Sequence, residues 1–200
     1  MRNTVVLTVA SFAIAMVIGT VVAAFRVSPV PPLRLAGAFY TETFRNTPLV
    51  VLFVLFVHGL PKAGVRYSLF VSAIVVLSAY TGAFVAETLR AGINAVAVGQ
   101  AEAARSLGLT FPQVLFGVVL PQAFRTVAAP LGNLFIALIK NSAIASVISV
   151  AELAFVADGV ANTTARPVPA LLGAAVAYVA LAVPAGWALG AVERRVAIRR

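Results

Sequence analysis

The sequence contains no cysteine and only one histidine in 200 residues. Without cysteine there is no disulfide framework, no thiolate metal site and no cysteine nucleophile, and the lone His58 cannot build a metal cluster. Acidic residues number six, and no two lie three or four positions apart, so no single helical face carries a carboxylate pair. A pair formed between helices stays open, but scattered acids and one histidine weigh against an enzyme. No metal or other cofactor is expected.

A nucleotide-binding motif and an internal repeat are also missing. Neither Lys62 nor Lys140 follows a glycine, so the G-x-x-x-x-G-K-[ST] loop that cradles nucleotide phosphates is absent. The chain therefore does not hydrolyse nucleotide by that route. Residues 1–100 show no similarity to residues 101–200, whereas a self-sufficient secondary transporter usually consists of two repeated halves. A secondary transporter is thus the less favoured alternative.

Apolar residues, in contrast, are abundant. Hydrophobic residues make up 62% of the chain and charged residues 10%, with a mean hydropathy of +1.03. A soluble domain of this size could not bury so much apolar surface, so the chain needs lipid as its solvent. Long apolar runs mark the membrane crossings and predict one all-α, multi-pass domain over residues 1–200. The five predicted spans are residues 4–25, 46–61, 67–89, 126–151 and 167–192.

The first two predicted spans need comment. At about 1.5 Å per residue the second reaches roughly 24 Å, less than a hydrocarbon core of about 30 Å, so it must be thin, tilted or broken. The first follows Arg2 and could be taken for a secretory signal, but it is longer than the apolar region of a signal peptide. Arg26, Arg34 and Arg45 also follow it. We expect it to remain in the mature protein as a helix.

Basic residues accumulate in alternate connections between the spans. If the N-terminus lies outside the cell, most of them lie in the cytoplasm, as the positive-inside rule requires. The inside group is Arg26, Arg34, Arg45, Arg90, Arg105, Arg125, Arg194, Arg195, Arg199 and Arg200; the outside group is Arg2, Lys62, Arg66 and Arg166. This bias predicts a cytoplasmic C-terminus. Anionic lipid then accounts for the net charge of +9, and no nucleic-acid partner is expected.

Residues 95–121 form a polar segment between the third and fourth spans, on the cytoplasmic side of this topology. The alanine-rich first part predicts a weakly amphipathic helix, which Gly108 ends in a flexible or left-handed position. Thr110, followed three residues later by Gln113, predicts a capping box and the start of a second helix. The sequence therefore predicts a helix-turn-helix outside the membrane core.

The spacing inside this segment resembles a family motif. Glu-Ala-Ala, three residues, Gly, nine residues, an aliphatic residue, one residue and Leu-Pro is similar to the coupling-loop signature of permease subunits in binding-protein-dependent ABC importers. The matching positions are Glu102, Ala103, Ala104, Gly108, Val118, Leu120 and Pro121.

Further stretches resemble the polar amino-acid permeases of the histidine, glutamine and glutamate group, over about residues 8–193. These stretches are residues 44–49, which contain Arg-Asn-Thr-Pro-Leu, and residues 86–93, 120–125, 130–133 and 140–153. The motifs at 45–48 and 99–108 are most similar to permeases of actinobacterial glutamate importers.

The resemblance implies a type I ABC importer transmembrane domain in the plasma membrane of a bacterium. Residues 95–121 would be its cytoplasmic coupling helix-turn-helix. The implied partners are a cytoplasmic ABC ATPase dimer, a second permease subunit, identical or different, and an extracytoplasmic substrate-binding protein. The implied cargo is a polar amino acid, glutamate first, with another polar solute as the alternative. Glu102, Ala103, Ala104, Gly108, Leu120 and Pro121 are the ATPase-coupling candidates.

Polar residues in and near the spans are candidates for the substrate pathway. A lysine in mid-span costs about 2.5 to 3.5 kcal/mol on insertion scales, so Lys140 should face a cavity or a partner. Asn133 lies on nearly the same helical face, and Asn141 and Ser142 follow directly. Thr47 stands at the entry to the short second span, and interrupted helices in transporters lie beside binding sites. A structural pairing of Lys140 with a carboxylate or a helix terminus is an equal alternative.

Overall fold

The computed structural model describes residues 1–65 and 67–196, and the regular elements in them are all helical. The helices are α1 (Arg2–Val27), α2 (Pro31–Asn46), α3 (Leu49–Gly59), α4 (Leu69–Asn94), α5 (Val98–Ser106), α6 (Phe111–Val114), α7 (Leu120–Asn141), α8 (Leu153–Thr164) and α9 (Pro167–Val196). The 3₁₀ turns Leu60–Ala63 and Ser142–Ile148 extend α3 and α7, and the π turn Leu115–Val119 joins α6 to α7. The predicted all-α class is confirmed.

Four helical segments of the described chain are long and apolar enough to cross a membrane. These segments are Arg2–Val27, Leu69–Asn94, Phe111–Ile148 and Pro167–Arg195. A fifth crossing exists if α2 and α3 with its 3₁₀ turn count as one span, although that pair is bent by 104°. The sequence predicts five crossings, and by length and composition the described chain contains four or five segments able to cross.

The bent pair explains why the second predicted span is short. α3 has 11 residues, which corresponds to about 16 Å and does not cross a hydrocarbon core alone. α2 ends at Asn46 because the next residue, Thr47, precedes Pro48 and adopts an extended conformation (φ −98°, ψ 129°). The chain therefore turns a corner at Thr47 and Pro48, inside residues 46–61.

Two helices, α2 and α8, have no counterpart among the predicted spans or in the predicted helix-turn-helix. α2 buries one narrow face: Gly37 and Thr41 are buried, whereas Leu35 and Phe39 are exposed. α8 is 12 residues long and packs between the 3₁₀ turn after α7 and helix α9. Both are shorter than the apolar run of about 20 residues that identifies a membrane crossing in a sequence. A search for such runs therefore does not detect them.

Close packing of α1 against α4 forms the centre of the fold. Leu7 of α1 and Leu77 of α4 are completely buried. Gly19 allows the two helices to approach, because a Cβ added there would overlap the side chain of Val85. Small residues at such contacts are the usual means of packing helices in a bilayer, where burial of apolar surface gives no driving force between helices.

α4 and α7 meet in the same way, next to the segment that joins them. Gly92 lies near the end of α4, and a Cβ there would overlap Val127 Cγ1 and stand 3.2 Å from the Ala123 carbonyl oxygen of α7. The helices that enter and leave the α5–α6 segment are thus in direct contact at its base. α9 packs against α7 and α8 and leaves apolar side chains such as Trp187 exposed.

Candidate functional site

The α5–α6 hairpin turns at Gly108. The Gly108 N–H donates to the Arg105 carbonyl at 2.9 Å, and the Leu109 N–H donates to the Ala104 carbonyl at 3.3 Å. This Schellman arrangement needs a left-handed residue at the glycine position, and the φ of Gly108 is +82°. The left-handed turn predicted here is therefore present. A Cβ added to Gly108 would meet no atom within 4 Å, so the need for glycine is conformational.

Hydrogen bonds also define the start of α6. Gln113 Oε1 accepts from the Thr110 backbone N–H at 2.8 Å and from the Thr110 hydroxyl at 3.0 Å. Pro112 occupies the first turn, where its missing N–H removes no intrahelical bond. Ala104 of α5 and Val114 of α6 are the buried residues of the two short helices. The hairpin is thus held at both sides of its turn.

The outer surface of the hairpin combines charge with large apolar side chains. Glu102 and Ala103 are exposed, whereas Ala104 is buried, so two residues of the Glu-Ala-Ala sequence face outward. At the tip, Leu107 is 83% exposed and Phe111 is 76% exposed. The hairpin therefore has an exposed apolar tip beside the charged Glu102.

Leu120 and Pro121 occupy the first turn of α7, directly after the π turn. The Leu120 N–H donates to the carbonyl five residues earlier, and Gln122 Nε2 donates to the Val118 carbonyl at 3.0 Å. Because proline has no N–H, the wider turn and the glutamine side chain help to keep carbonyls of this segment partnered. α6 therefore continues into α7 as one helical path, Phe111–Ile148.

The five pathway candidates occupy four environments. Asn133 and Lys140 are exposed on α7. Asn141 is half-buried and lines a cavity of about 140 Å³, together with aromatic residues of α4. Ser142 is fully buried, and its hydroxyl donates to the carbonyl three residues earlier at 2.7 Å. Thr47 lies at the corner between α2 and α3, where its hydroxyl donates to the carbonyl four residues earlier at 2.7 Å.

Lys140 has no carboxylate partner in the described part of the chain, where the ion pairs present both involve Glu87. The alternative of a structural carboxylate pair within this subunit is therefore not realised in those residues. Lys140 does lie in the last turn of α7, where a cation is favourably placed, so the alternative of a structural role at a helix terminus stays open. Asn133 shares this exposed surface of α7.

A group of hydrogen bonds around one buried carboxylate, Glu152, was missed by the sequence reasoning. Glu152 is 1% exposed and caps α8, accepting from the Phe155 N–H at 2.8 Å. The Tyr178 hydroxyl of α9 donates to the same carboxylate. Thr4 Oγ1 of α1 accepts from the Leu153 N–H at 3.2 Å, so three helices meet at this point.

The signal for Glu152 was present but local. An acidic residue directly before an apolar stretch is typical of a helix N-cap. Its burial, however, depends on residues far away in sequence, since Thr4 is 149 positions from Leu153. No spacing rule along the chain could have joined Thr4, Glu152 and Tyr178.

Comparison with known proteins assigns this arrangement to a family. Residues 7–198 match the family model of binding-protein-dependent transport system inner membrane components. The chain belongs to that family, and it is therefore a membrane protein. The predicted resemblance to permease subunits of binding-protein-dependent ABC importers is confirmed.

Individual relatives align over nearly the whole chain. A glutamate transport system permease protein of Corynebacterium efficiens is 42% identical, over 98% of this chain and 92% of its own length. A protein of Bacillus subtilis named "probable glutamine ABC transporter permease" is 39% identical, over 96% of this chain and 89% of its own length.

Solved structures agree with the predicted fold class. A crystal structure of an amino acid ABC transporter with histidines has a TM-score of 0.92 and 36% identity, over 98% of this chain and 91% of that one. A methionine ABC transporter in an inward-facing conformation, 21% identical, has a TM-score of 0.85 over 98% of this chain and 94% of that one. The predicted class, a type I ABC importer transmembrane domain, is confirmed.

Proposed function

We propose that this chain forms the translocation pathway of an ATP-driven importer that brings a polar amino acid, glutamate first, into a bacterial cell. The observation that carries the proposal is the α5–α6 hairpin, which has a defined turn, an exposed apolar tip and a direct connection to α4 and α7. A subunit without a phosphate-binding loop depends on another protein for ATP hydrolysis. Such a hairpin is suited to contact that protein.

The hairpin docks on a cytoplasmic ABC ATPase dimer. Leu107 and Phe111 at the tip supply the apolar contact, and Glu102 supplies a charge beside it. The contact between Gly92 and Val127 joins α4 to α7 at the base of the hairpin, so a displacement of the hairpin moves both helices together. Gly108 sets the shape of the hairpin. Leu120 and Pro121 begin α7, the helix that carries the motion of the hairpin into the membrane.

The exposed polar face of α7 lines the substrate pathway, opposite a second permease subunit. The Lys140 ammonium offers a positive charge to the carboxylate of an amino acid, and Asn133 on the same surface offers a hydrogen-bonding amide. Asn141, Ser142 and the corner at Thr47 form the surroundings of that surface. An extracytoplasmic binding protein delivers the amino acid from the other side of the membrane.

The proposed orientation places the N-terminus outside and the hairpin in the cytoplasm, as the distribution of basic residues favours. The absence of cysteine makes a direct test simple. We expect a single cysteine at Ser106 to react with a membrane-impermeant maleimide only in inverted vesicles, and one at Lys62 only in intact cells. The reverse labelling pattern would refute the orientation.

Glutamate is the proposed cargo because glutamate permeases of Corynebacterium are 42% identical to this chain, with glutamine as the alternative. The test is uptake of radiolabelled glutamate by the complete importer, reconstituted with its ATPase and binding protein. Glutamine, histidine and arginine serve as competitors. Uptake of labelled glutamine without uptake of labelled glutamate would replace glutamate by glutamine and leave the permease role intact.

The same preparation separates an ABC importer from a secondary transporter. An ABC importer takes up substrate only with ATP inside the vesicle and binding protein outside. Uptake driven by a sodium or proton gradient in the absence of ATP would contradict the proposed coupling. Co-purification of the ATPase, lost when residues 102–108 are scrambled, gives an independent check on the hairpin.

A further inference from the structure

A cavity of about 420 Å³ lies where α1, α2 and α4 meet, away from the α7 surface assigned to the substrate pathway. Its lining includes three arginines, Arg26 of α1, Arg34 of α2 and Arg90 of α4. This volume is within the range of small-molecule sites, about 300 to 1,000 Å³. Three positively charged side chains thus line the same concave surface.

The charge around the cavity is not balanced within the subunit. Glu87 is the carboxylate that pairs with these arginines in the described residues: it contacts Arg90, and its Oε2 stands 3.5 Å from Arg26 Nη2. One carboxylate therefore pairs with two of the three guanidinium groups, and the ion pairs of the described residues do not include Arg34. Arg26 Nε is in addition buried without a hydrogen-bond partner in that part of the chain. That nitrogen has almost no accessible surface, so an anion in the cavity would contact the accessible part of the Arg26 guanidinium, whose side chain is 19% exposed.

The position of the cavity matches the surface of a membrane. Arg26 lies in the last turn of α1, after an apolar run, and Arg90 lies about one turn before the end of α4. α2 crosses this end of α1 closely, since a Cβ on Gly37 would stand 3.1 Å from Arg26 Cγ. Beside the cavity, α2 exposes Leu35 and Phe39, which are 70% and 75% exposed. Acyl chains can cover these apolar residues while a headgroup occupies the cavity.

We propose that this cavity binds a phosphate group of the kind that anionic phospholipids carry in their headgroups. Arginine suits this role because its planar guanidinium forms paired, charge-assisted hydrogen bonds with phosphate oxygens. Basic residues at the membrane surface need only exposure to satisfy the positive-inside rule, whereas these three arginines line one cavity, and Glu87 pairs with only two of them in the described residues. The proposal rests on the membrane location of the chain and is independent of the amino acid transported.

The test compares two changes in the cavity with a matched control. Arg34 lines the cavity and is exposed, so Arg34→Gln removes one charge without disturbing the core. Ala38→Phe fills the cavity without changing its charge. Arg125→Gln is the control, because Arg125 is an exposed arginine near the start of α7 that does not line the cavity.

The whole importer is purified in detergent, exposed to a mixture of phosphatidylglycerol and phosphatidylcholine, and examined by native mass spectrometry. We expect the wild type and Arg125→Gln to retain phosphatidylglycerol, and both cavity variants to bind it roughly five- to tenfold more weakly. A thermal-shift titration with inorganic phosphate in phosphatidylcholine nanodiscs forms the second arm. Stabilisation by phosphate that Arg34→Gln abolishes would identify free phosphate as the source of the same group.

Two results would overturn the proposal. The first is equal retention of phosphatidylglycerol by all variants together with no phosphate effect that depends on Arg34. The second is a loss of ATPase co-purification in Arg34→Gln with lipid retention unchanged, which would assign the cavity to an acidic protein segment. Failure of glutamate uptake in the wild type would affect the proposed cargo and leave these binding results unchanged.

Discussion

The turn at Gly108 offers the sharpest test of how the hairpin works. Its φ of +82° is left-handed, and a Cβ added there would meet no atom within 4 Å. Substitution therefore introduces no clash, and the whole effect arises from the backbone. A non-glycine residue in the left-handed region costs about 1 to 2 kcal/mol, more if it is β-branched and less if it is asparagine.

That free-energy cost lowers the fraction of molecules in which the hairpin has its native turn. A shift of about 1.4 kcal/mol changes the equilibrium between the native turn and its alternatives tenfold. We therefore expect transport to fall in the order wild type, Gly108→Asn, Gly108→Ala, Gly108→Val, with the valine variant reduced roughly tenfold or more. The asparagine variant should retain most of the activity, because asparagine tolerates the left-handed conformation.

The assay is substrate uptake and ATP hydrolysis stimulated by the binding protein, measured on the reconstituted importer at equal amounts of permease. Gly117→Ala is the matched control, since Gly117 lies in the same helix-turn-helix region, has open space around it and has no left-handed φ. If Gly108→Val transports as well as Gly117→Ala and wild type, the turn has no part in coupling and the reasoning is wrong.

Other predictions concern packing and the pathway. Glu152→Ala should lower the free energy of unfolding by about 1 to 3 kcal/mol, because the Tyr178 hydroxyl and a backbone N–H lose a buried acceptor, whereas Glu152→Gln keeps one. Gly92→Val should cost about 1 to 3 kcal/mol through overlap with Val127, and Val127→Ala should restore part of it. Lys140→Ala should raise the KM for the amino acid roughly tenfold, whereas Lys140→Arg should retain the charge and most of the affinity. Thermal unfolding in detergent measures the first two changes, and uptake kinetics the third.

Each of these has a clear contrary result. An unchanged melting temperature for Glu152→Ala would mean that the carboxylate is not a structural acceptor. Independent rather than compensating effects of the Gly92 and Val127 substitutions would show that the two helices do not meet at that contact. Normal uptake affinity in Lys140→Ala would remove that residue from the pathway.

Residues with local signals were well predicted from the sequence. Gly108 and Thr110 are examples, because a helix end and a helix cap depend on hydrogen bonds within one turn of the chain. The family motif over residues 102–121 is equally local. The boundary at Thr47 and Pro48 was partly visible as a span too short to cross, but the bend of 104° was not.

Two short helices, α2 and α8, were not predicted. α2 and α8 form because larger helices cover their buried faces: Gly37 and Thr41 of α2 are buried, and Ala157 and Ala161 are the buried residues of α8. Their sequences alone do not show which neighbour will cover those faces.

The sequence by itself determined that this chain is a membrane protein and that its spans are helical. It also determined that a polar hairpin with a glycine turn lies between two of these spans. Apolar runs and turn residues act through neighbouring positions of the chain, so they can be recognised without knowledge of the tertiary structure. Tertiary structure alone decided that Glu152 is buried beside Thr4 and Tyr178, and that arginines from three helices surround one cavity. Those arrangements join residues many positions apart, and their energies depend on burial and distance, which only the packed helices define.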